Sequence, residues 1–501
     1  VSRSSLAAAF AAGALSVAGF GDPALDFVPI AGFALLAWLW TREASARAAG
    51  WLGFAFGAGL FLVGVSWVYV SLHRFGMMPA PLAALATLLF CLYLALFPAL
   101  VGYLQGRLRT APAARLLLVI PALWTLAEWV RGWLFTGFPW LSLGYSQADG
   151  PLAGLAPVLG VFGVSFAAAC AAGALVALFT VRGPALFAAL ASLVALAAGG
   201  AALRAVEWTS PRGEPIEVAL LQGNVPQELK FVPGRFEETL ETYARLADDT
   251  RARLVVLPET AIPRFLHEVD PRYLERLAAG VRARGGDMLV GVPVLEGERR
   301  YFNAVVSLGA SPPQVYAKSH LVPFGEFVPP GFGWVVAVLQ IPLSDFARGA
   351  TTQAPLAVAG ERVAVNICYE DAFGEEIVRQ LPEASLLVNA SNVAWFGDSL
   401  APAQHLRIAR MRSIETGRTM LRATNTGVTA IVDHRGTVVA RLPSFSKGVL
   451  EGRVQGRDGA TPYVTGGNRL VVLGSATILA LALWVGRRQA RKASAREHLG
   501  A

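Results

Sequence analysis

Charge is scarce in this sequence. Asp, Glu, Lys and Arg make up 16% of its 501 residues, where a soluble globular chain carries about 25%. With 54% of residues hydrophobic, that deficit excludes an ordinary water-soluble protein and a disordered one alike. Cysteine is scarcer still, at Cys91, Cys170 and Cys368. The first two lie inside long apolar runs, where a thiol behaves as a small hydrophobe, so no disulfide framework is expected. Histidine is thin as well. His73, His267, His320, His405, His434 and His498 stand apart without ligand spacing, so no metal site is expected. The formal net charge of +8 does not point to nucleic acid, because no helix-turn-helix, zinc-finger or RNA-module pattern accompanies it. Much of the excess sits in "GRRQARKASAREHLGA", directly after an apolar run, as a membrane-flanking cluster does.

What the sequence does have is length without charge. A bilayer crossing needs about 20 predominantly apolar residues. Runs that meet or approach this lie at Ser5–Phe20, Ala24–Trp40, Trp51–Leu72, Leu82–Leu104, Leu116–Leu134, Leu155–Thr180, Pro184–Leu203 and Leu470–Gly486. The first two are short, with a re-entrant hairpin as an alternative and, for the first, a cleaved signal peptide. Counting connections in order, one side receives Arg3, Arg42, Arg47, Arg107, Arg109, Arg115, Arg182 and the basic tail. The positive-inside rule makes that side cytoplasmic, with both termini, and puts the large polar region across the membrane. The domains expected are a transmembrane bundle over 1–205, a catalytic domain over 206–466, and a last span with its tail over 467–501.

The polar region changes rhythm. Strand-like runs "IEVALLQ", "RLVVLPE", "DMLVGVP", "FNAVVSLG", "RVAVNICYE" and "ASLLVNAS" alternate with helix-like segments such as "GRFEETLETYARLADD", "PRYLERLAAGVRAR" and "QHLRIARMRSIETGR". That pattern predicts an α/β domain whose strands are covered on both faces. Arg235 and Tyr243 are expected on a solvated helix face. Trp124, Trp129, Trp133 and Trp140, near span ends, are expected in an interfacial belt.

Chemistry concentrates at strand ends. "LVVLPETAIP" delivers Glu259, "VYAKSHLVPFGEFVP" delivers Lys318 and Glu326, and "VAVNICYEDAFGE" delivers Cys368 followed by Tyr369, Glu370 and Asp371. A thiol nucleophile needs a base for its proton and a cation or donors for the oxyanion. Glu, Lys and Cys supply that set without histidine. Carboxylates next to Cys368 would disfavour its thiolate, so its working partners must come from elsewhere in the chain. On a strand, Tyr369 would point away from Cys368 and Glu370 would return to its face. Taken singly, Cys368 also reads as a core thiol, Glu259 as a helix-start carboxylate and Lys318 as a surface lysine.

In this order the residues resemble the carbon–nitrogen hydrolase (nitrilase) superfamily. Within it, the chain resembles the apolipoprotein N-acyltransferase family through "EWVRGWLFTGFPWLSLGYSQ", "LLQGNVPQELKF", "HLVPFGEFVP", "WFGDS", "ARMRSIETGR", "RATNTGVTAIVDHRG" and "TPYVTGGN". The resemblance implies a membrane protein with about eight α-helical spans and a periplasmic nitrilase-like αββα sandwich in the bacterial inner membrane. It implies acyl transfer from a phospholipid, with phosphatidylethanolamine the expected donor, to the amino group of S-diacylglyceryl-cysteine apolipoproteins. A ping-pong thioester mechanism and no cofactor come with it. By motif, Glu259 is then the general base, Lys318 the oxyanion stabiliser and Cys368 the nucleophile, with Glu326, Tyr369 and Glu370 in support.

Substrate contacts are expected at Phe231, where the family often has Trp, and at Trp334, Trp395 and Arg131. Trp334 lies in the apolar stretch "PPGFGWVVAVLQIPL", which reads as a lipid-dipping arm or, alternatively, a buried helix. Arg131 is a phosphate-binding candidate because it stands on the outer side against the charge trend. Val393 and Ala394 replace an Asp–Thr pair more usual in the family. Two other functions remain open at this point. A membrane-anchored amidohydrolase would share the triad. A transporter or lipid receptor would instead need ionisable residues along its spans, where Glu128 and Arg131 are nearly the only ones.

Overall fold

A computed structural model gives the fold and describes every residue except 231, 233, 298, 330–344 and 500–501, together with the side chains of 490 and 492–499. The chain divides into two compact units. One comprises Val1–Ser66, Leu85–Val206 and Gly466–Ala501; the other comprises Trp67–Ala84 and Glu207–Thr465.

In the first unit and its margins, 8 helices among the described residues are long and apolar enough to cross a membrane. They are Arg3–Phe20, Pro23–Arg42, Ala46–Gly64, Ala80–Arg107, Pro112–Arg131, Pro151–Thr180, Pro184–Arg204 and Arg469–Gln489. Small residues set their spacing. A Cβ on Gly13 would fall 1.9 Å from the Phe56 carbonyl, and one on Gly59 would fall 2.0 Å from that of Phe10. The first and third helices therefore touch backbone to backbone, as close-packed membrane helices do.

The third apolar run is shorter as a helix than its sequence predicts. The helix stops at Gly64, and Trp67 to Ala84 belongs to the other unit. There the Trp67 ring packs 4.5 Å from that of Phe396, and Ser71 Oγ donates to the Trp395 carbonyl at 2.7 Å. Trp67 at least is thus committed to protein contact. The tryptophan belt also needs correction. Trp124 and Trp140 are buried inside the protein, the first donating its ring N–H to Glu128 at 2.8 Å.

The second unit is built on two six-stranded mixed sheets. The first runs in the order β12-β1-β2-β3-β4-β5 and the second β11-β10-β9-β8-β7-β6. In the first sheet β1 is Ser210–Gln222, β2 Leu254–Val256, β3 Asp287–Glu296, β4 Arg300–Gly309, β5 Val315–Ala317 and β12 Gly448–Asp458. In the second, β6 is Leu356–Val358, β7 Glu361–Ile367, β8 Leu386–Ser391, β9 Met420–Thr424, β10 Ala430–Val432 and β11 Val438–Arg441.

Alternation along each strand builds the layers. Val218, Leu220, Leu254 and Val256 face Val363, Val365, Ile367 and Val388 in one shared core between the sheets. The intervening Ala219, Leu221, Val255 and Leu257 face the helices Phe236–Asp248 and Pro271–Ala283. Across the other sheet, Ala364 and Leu387 face Ile377 and Leu406, the latter on the helix Ala401–Thr416. The result is helix, sheet, sheet, helix. Tyr243 belongs to this packing and is buried rather than solvated, because its position on Phe236–Asp248 is on the sheet-facing stripe. The helix Ala401–Thr416 is buried along almost its whole length despite His405, Arg407, Arg410 and Arg412. It ends at Gly417 with φ 64°, the left-handed stop that glycine adopts without strain.

Candidate active site

Strand direction brings the chemistry to one edge. Strands β1, β2 and β3 are parallel, and β4 then β5 each reverse, so the end of β5 lies at the same edge as the ends of β2 and β3. Lys318 follows β5 directly, Asn303 enters from near the start of β4, and Glu259 follows β2. Strands β7, β8 and β9 are likewise parallel, with Cys368 directly after β7 and Asn392 directly after β8. The two edges meet where the Asn392 backbone N–H donates to Glu259 Oε2 at 2.9 Å. Carboxyl ends of strands are where α/β folds present their sites.

The loops at this edge are strained. Thr260, Phe324 and Cys368 have φ of 48°, 62° and 52° without being glycine, each costing about 1–3 kcal/mol. Burying one Val or Leu contributes about 1.5–3 kcal/mol, so the sandwich core readily supports them. Gly291 on β3 makes room for the Glu259 turn, since a Cβ there would meet the Pro258 carbonyl at 2.2 Å.

Glu259, Lys318 and Glu326 form one buried cluster. Lys318 Nζ donates to Glu259 Oε1 at 3.2 Å and to Glu326 Oε1 at 2.8 Å. Asn303 Nδ2 donates to the same two carboxylates, at 2.7 and 2.8 Å, and Glu326 Oε2 accepts from the Val322 N–H at 2.8 Å. Lys318 is 1% exposed. Burial would lower its pKa, but Glu259 and Glu326 outweigh that and hold it above the ordinary lysine value. Burial would raise Glu259, and Lys318, the Asn303 hydrogen bond and Lys230 together hold it below the usual carboxylate range. Cys368 feels the same cluster. Burial pushes its thiol up to about 12, Glu259 pushes the same way, and Lys318 and Ser391 pull against them.

The carboxylates beside Cys368 in sequence are occupied. Glu370 Oε1 accepts from the Ser319 and His320 N–H groups at 2.7 and 3.0 Å and from Ser319 Oγ at 3.0 Å. Its Oε2 accepts from the Ile367 N–H at 2.7 Å and Tyr316 OH at 3.0 Å. Burial raises its pKa against these donors, all of which favour the charged form. Asp371 Oδ1 lies 2.7 Å from His405 Nε2, and its Oδ2 accepts from Arg422 at 3.0 Å. Strand alternation does not continue past Ile367, because Cys368–Ala372 is a 3₁₀ turn opened by the positive φ. Glu370 therefore ties the Cys368 turn to the loop carrying Lys318.

Comparison with known proteins agrees with this layout. Residues 12–174 match the apolipoprotein N-acyltransferase N-terminal domain, and residues 217–463 match carbon-nitrogen hydrolase. An apolipoprotein N-acyltransferase of Nitrosomonas europaea is 49% identical over 97% of this chain and 98% of its own. The chain belongs to the apolipoprotein N-acyltransferase family. Other members include those of Ralstonia nicotianae, 46% identical over 93% of this chain and 90% of theirs, and Chromobacterium violaceum, 45% over 97% and 94%. Among solved structures, an amidase from Nesterenkonia sp. is 20% identical over 52% of this chain and 95% of its own, with a TM-score of 0.37. With its eight candidate spans, this family member is a multi-pass membrane protein.

The remaining candidates fall in different places. Tyr369 is buried, its ring 5.0 Å from Phe373. Trp395 is half-buried, 5.9 Å from Phe75. Phe231 and Trp334, with the apolar stretch after Pro329, lie outside the described residues. Arg131 is buried and its guanidinium donates to the Phe138 and Trp140 carbonyls at 2.6 Å each and to Ser142 Oγ at 3.2 Å. Those bonds hold its own loop. Asn303, Asn392 and Lys230 were not singled out by sequence. The signal for Asn303 was a lone amide inside the apolar strand "YFNAVV", and Asn392 and Lys230 stood within the motifs "SNVAWFGDS" and "QELKF".

Proposed function

We propose that this protein transfers a fatty acyl chain from a phospholipid to the amino terminus of diacylglyceryl apolipoproteins, with Cys368 as nucleophile, Glu259 as general base and Lys318 as oxyanion stabiliser. Family membership supports the acyl transfer. The observation that carries the residue roles is the buried bracket of Lys318 between Glu259 and Glu326, electrostatically coupled to Cys368.

The thiol is neutral at rest, so sulfur attacks the ester carbonyl as Glu259 takes its proton. Lys318, anchored by Glu326 and Asn303, faces the oxyanion; one such donor contributes about 2.7–4 kcal/mol. Glu259 then passes the proton to the leaving alkoxide as the C–O bond breaks, releasing lysophospholipid and leaving a thioester. The acceptor amine attacks that thioester, Glu259 takes its proton, and the proton goes to sulfur as the C–S bond breaks. Splitting the transfer in two gives ping-pong kinetics. Glu370 supports the reaction through the backbone, and Tyr369 through packing.

Phosphatidylethanolamine is the proposed donor. Trp395 remains a proposed contact for substrate, as do Phe231 and Trp334. The excess of Arg on alternate connections supports cytoplasmic termini and a periplasmic catalytic unit in the inner membrane. Purified protein with phosphatidylethanolamine and a diacylated lipopeptide is expected to yield the N-acyl amide and lysophospholipid. Free fatty acid with the lipopeptide unchanged would favour amidohydrolase-type chemistry and sink the reading.

A further inference from the structure

Charge within the buried cluster of Glu259, Lys318 and Glu326 does not balance. Glu259 and Glu326 bring two carboxylates, and Lys318 brings one ammonium, all buried. A buried excess of negative charge beside a thiol opposes both thiolate and oxyanion. Lys230 supplies the missing cation. It is 3% exposed, and its Nζ donates to the Glu259 main-chain carbonyl at 3.3 Å. Its position is built. Lys230 N–H donates to the Gln227 carbonyl at 3.3 Å, and Gln227 Oε1 accepts from Asn392 Nδ2 at 2.8 Å. Asn392 is the residue whose N–H holds Glu259 Oε2.

We infer that Lys230 is a positioning residue for this reaction, a second ammonium that fixes the Glu259 loop and balances the two carboxylates of the Glu259, Lys318 and Glu326 cluster. The groups facing it are Glu259 from the loop after β2 and Cys368 from the turn after β7. Lys318 in turn pairs with Glu259 and Glu326. On its own turn, Glu228 is taken by Arg74 at 2.8 Å. Burial brings Lys230 down to about 8, against the pull of Glu259 and Cys368. Lys318 is held above the ordinary value, so Lys230 is the cation of the pair that loses its charge first as pH rises.

The test uses the alkylation rate of Cys368 by iodoacetamide from pH 6 to 10 in the full-length protein, compared with Lys230→Met and Lys230→Arg. This reports thiolate without needing the acyl reaction. A neighbouring opposite charge favours the charged form of a thiol, so at pH 7 Lys230→Met should alkylate about ten-fold more slowly. In the unaltered protein the rise of rate with pH should bend near 8, as Lys230 loses its proton, and above pH 9 the two should converge. Lys230→Arg, which does not titrate here, should keep the fast rate and lose the bend.

A folded Lys230→Met that tracks the unaltered protein throughout would overturn the inference, as would Met and Arg variants displaced alike. Should Lys230→Met fail to fold, a bend near 8 persisting in Lys230→Arg would refute it as well. The inference rests on Cys368 being the nucleophile. Absence of an acyl adduct on Cys368 in the unaltered protein would remove that reading, whereas unchanged alkylation removes Lys230 alone.

Discussion

Glu128 and Arg131, on the candidate span Pro112–Arg131, compare directly with Glu259 and Lys318 in the other unit. Both are buried sets of opposite charge, and their partners differ. Glu128 accepts from the Leu143 N–H at 2.8 Å, and Arg131 donates to the Phe138 and Trp140 carbonyls. These bonds, with those from the Trp124 ring N–H to Glu128 and from Arg131 to Ser142 Oγ, hold a loop in which Phe135, Thr136 and Leu141 have positive φ. In the other unit, Lys318 and Asn303 donate side chain to side chain, onto Glu259 and Glu326. Arg131, bonded mainly to main-chain carbonyls, fixes the path of its loop. Lys318 is bracketed by side-chain carboxylates, which in turn accept from the Asn392 and Val322 N–H groups. That difference in partners separates Lys318, proposed to act in the chemistry, from Arg131, which holds its loop.

Substitutions can break the comparison, the largest effect first. Lys318→Met leaves two buried carboxylates without their cation and should cost about 3–5 kcal/mol of stability, together with acyl transfer. The pH dependence follows by sign. Lys318 is raised, so its contribution is full below the free amine's pKa near 10.4 and is lost only at still higher pH. Glu259 is lowered, so its share is full above about 4.3 and is lost only at lower pH. The contribution of Lys318 in the unaltered protein should therefore be full at pH 8, so the deficit of Lys318→Met in thermal midpoint should be undiminished there; a deficit that vanishes at pH 8 would mean the ammonium is not held as described.

Arg131→Gln should cost less, about 1–3 kcal/mol for the carbonyls it leaves, and should leave the iodoacetamide rate at Cys368 unchanged. A changed rate would give Arg131 a role in the chemistry and erase the contrast. Smallest is Arg74→Ala. Its partner Glu228 is 41% exposed and Arg74 63%, so the midpoint should move by less than about 1 kcal/mol equivalent.

Much of this was readable from sequence because it is local. Apolar runs mark the eight helices, and "VVLPE", "VYAK" and "VNIC" mark strands that end at Glu259, Lys318 and Cys368. Strand order was not readable, since β1 pairs with β12 from more than two hundred positions away, and the short β5, β6 and β10 carry little pattern of their own. Lys230 and Asn303 were missed because a lysine after a turn and an amide in a strand look ordinary until tertiary contact gives them partners. Glu370 was placed by an alternation that the positive φ of Cys368 interrupts. Trp67 to Leu72 read as membrane because the packing against Trp395 and Phe396 lies three hundred residues downstream.

The direct test of the proposed relay is peptide mass spectrometry of the protein after incubation with phospholipid alone. A fatty-acyl mass on the peptide carrying Cys368, removed by hydroxylamine and lost in Glu259→Gln, is the expected result. An unmodified Cys368, or an acyl group found on another residue, would contradict it.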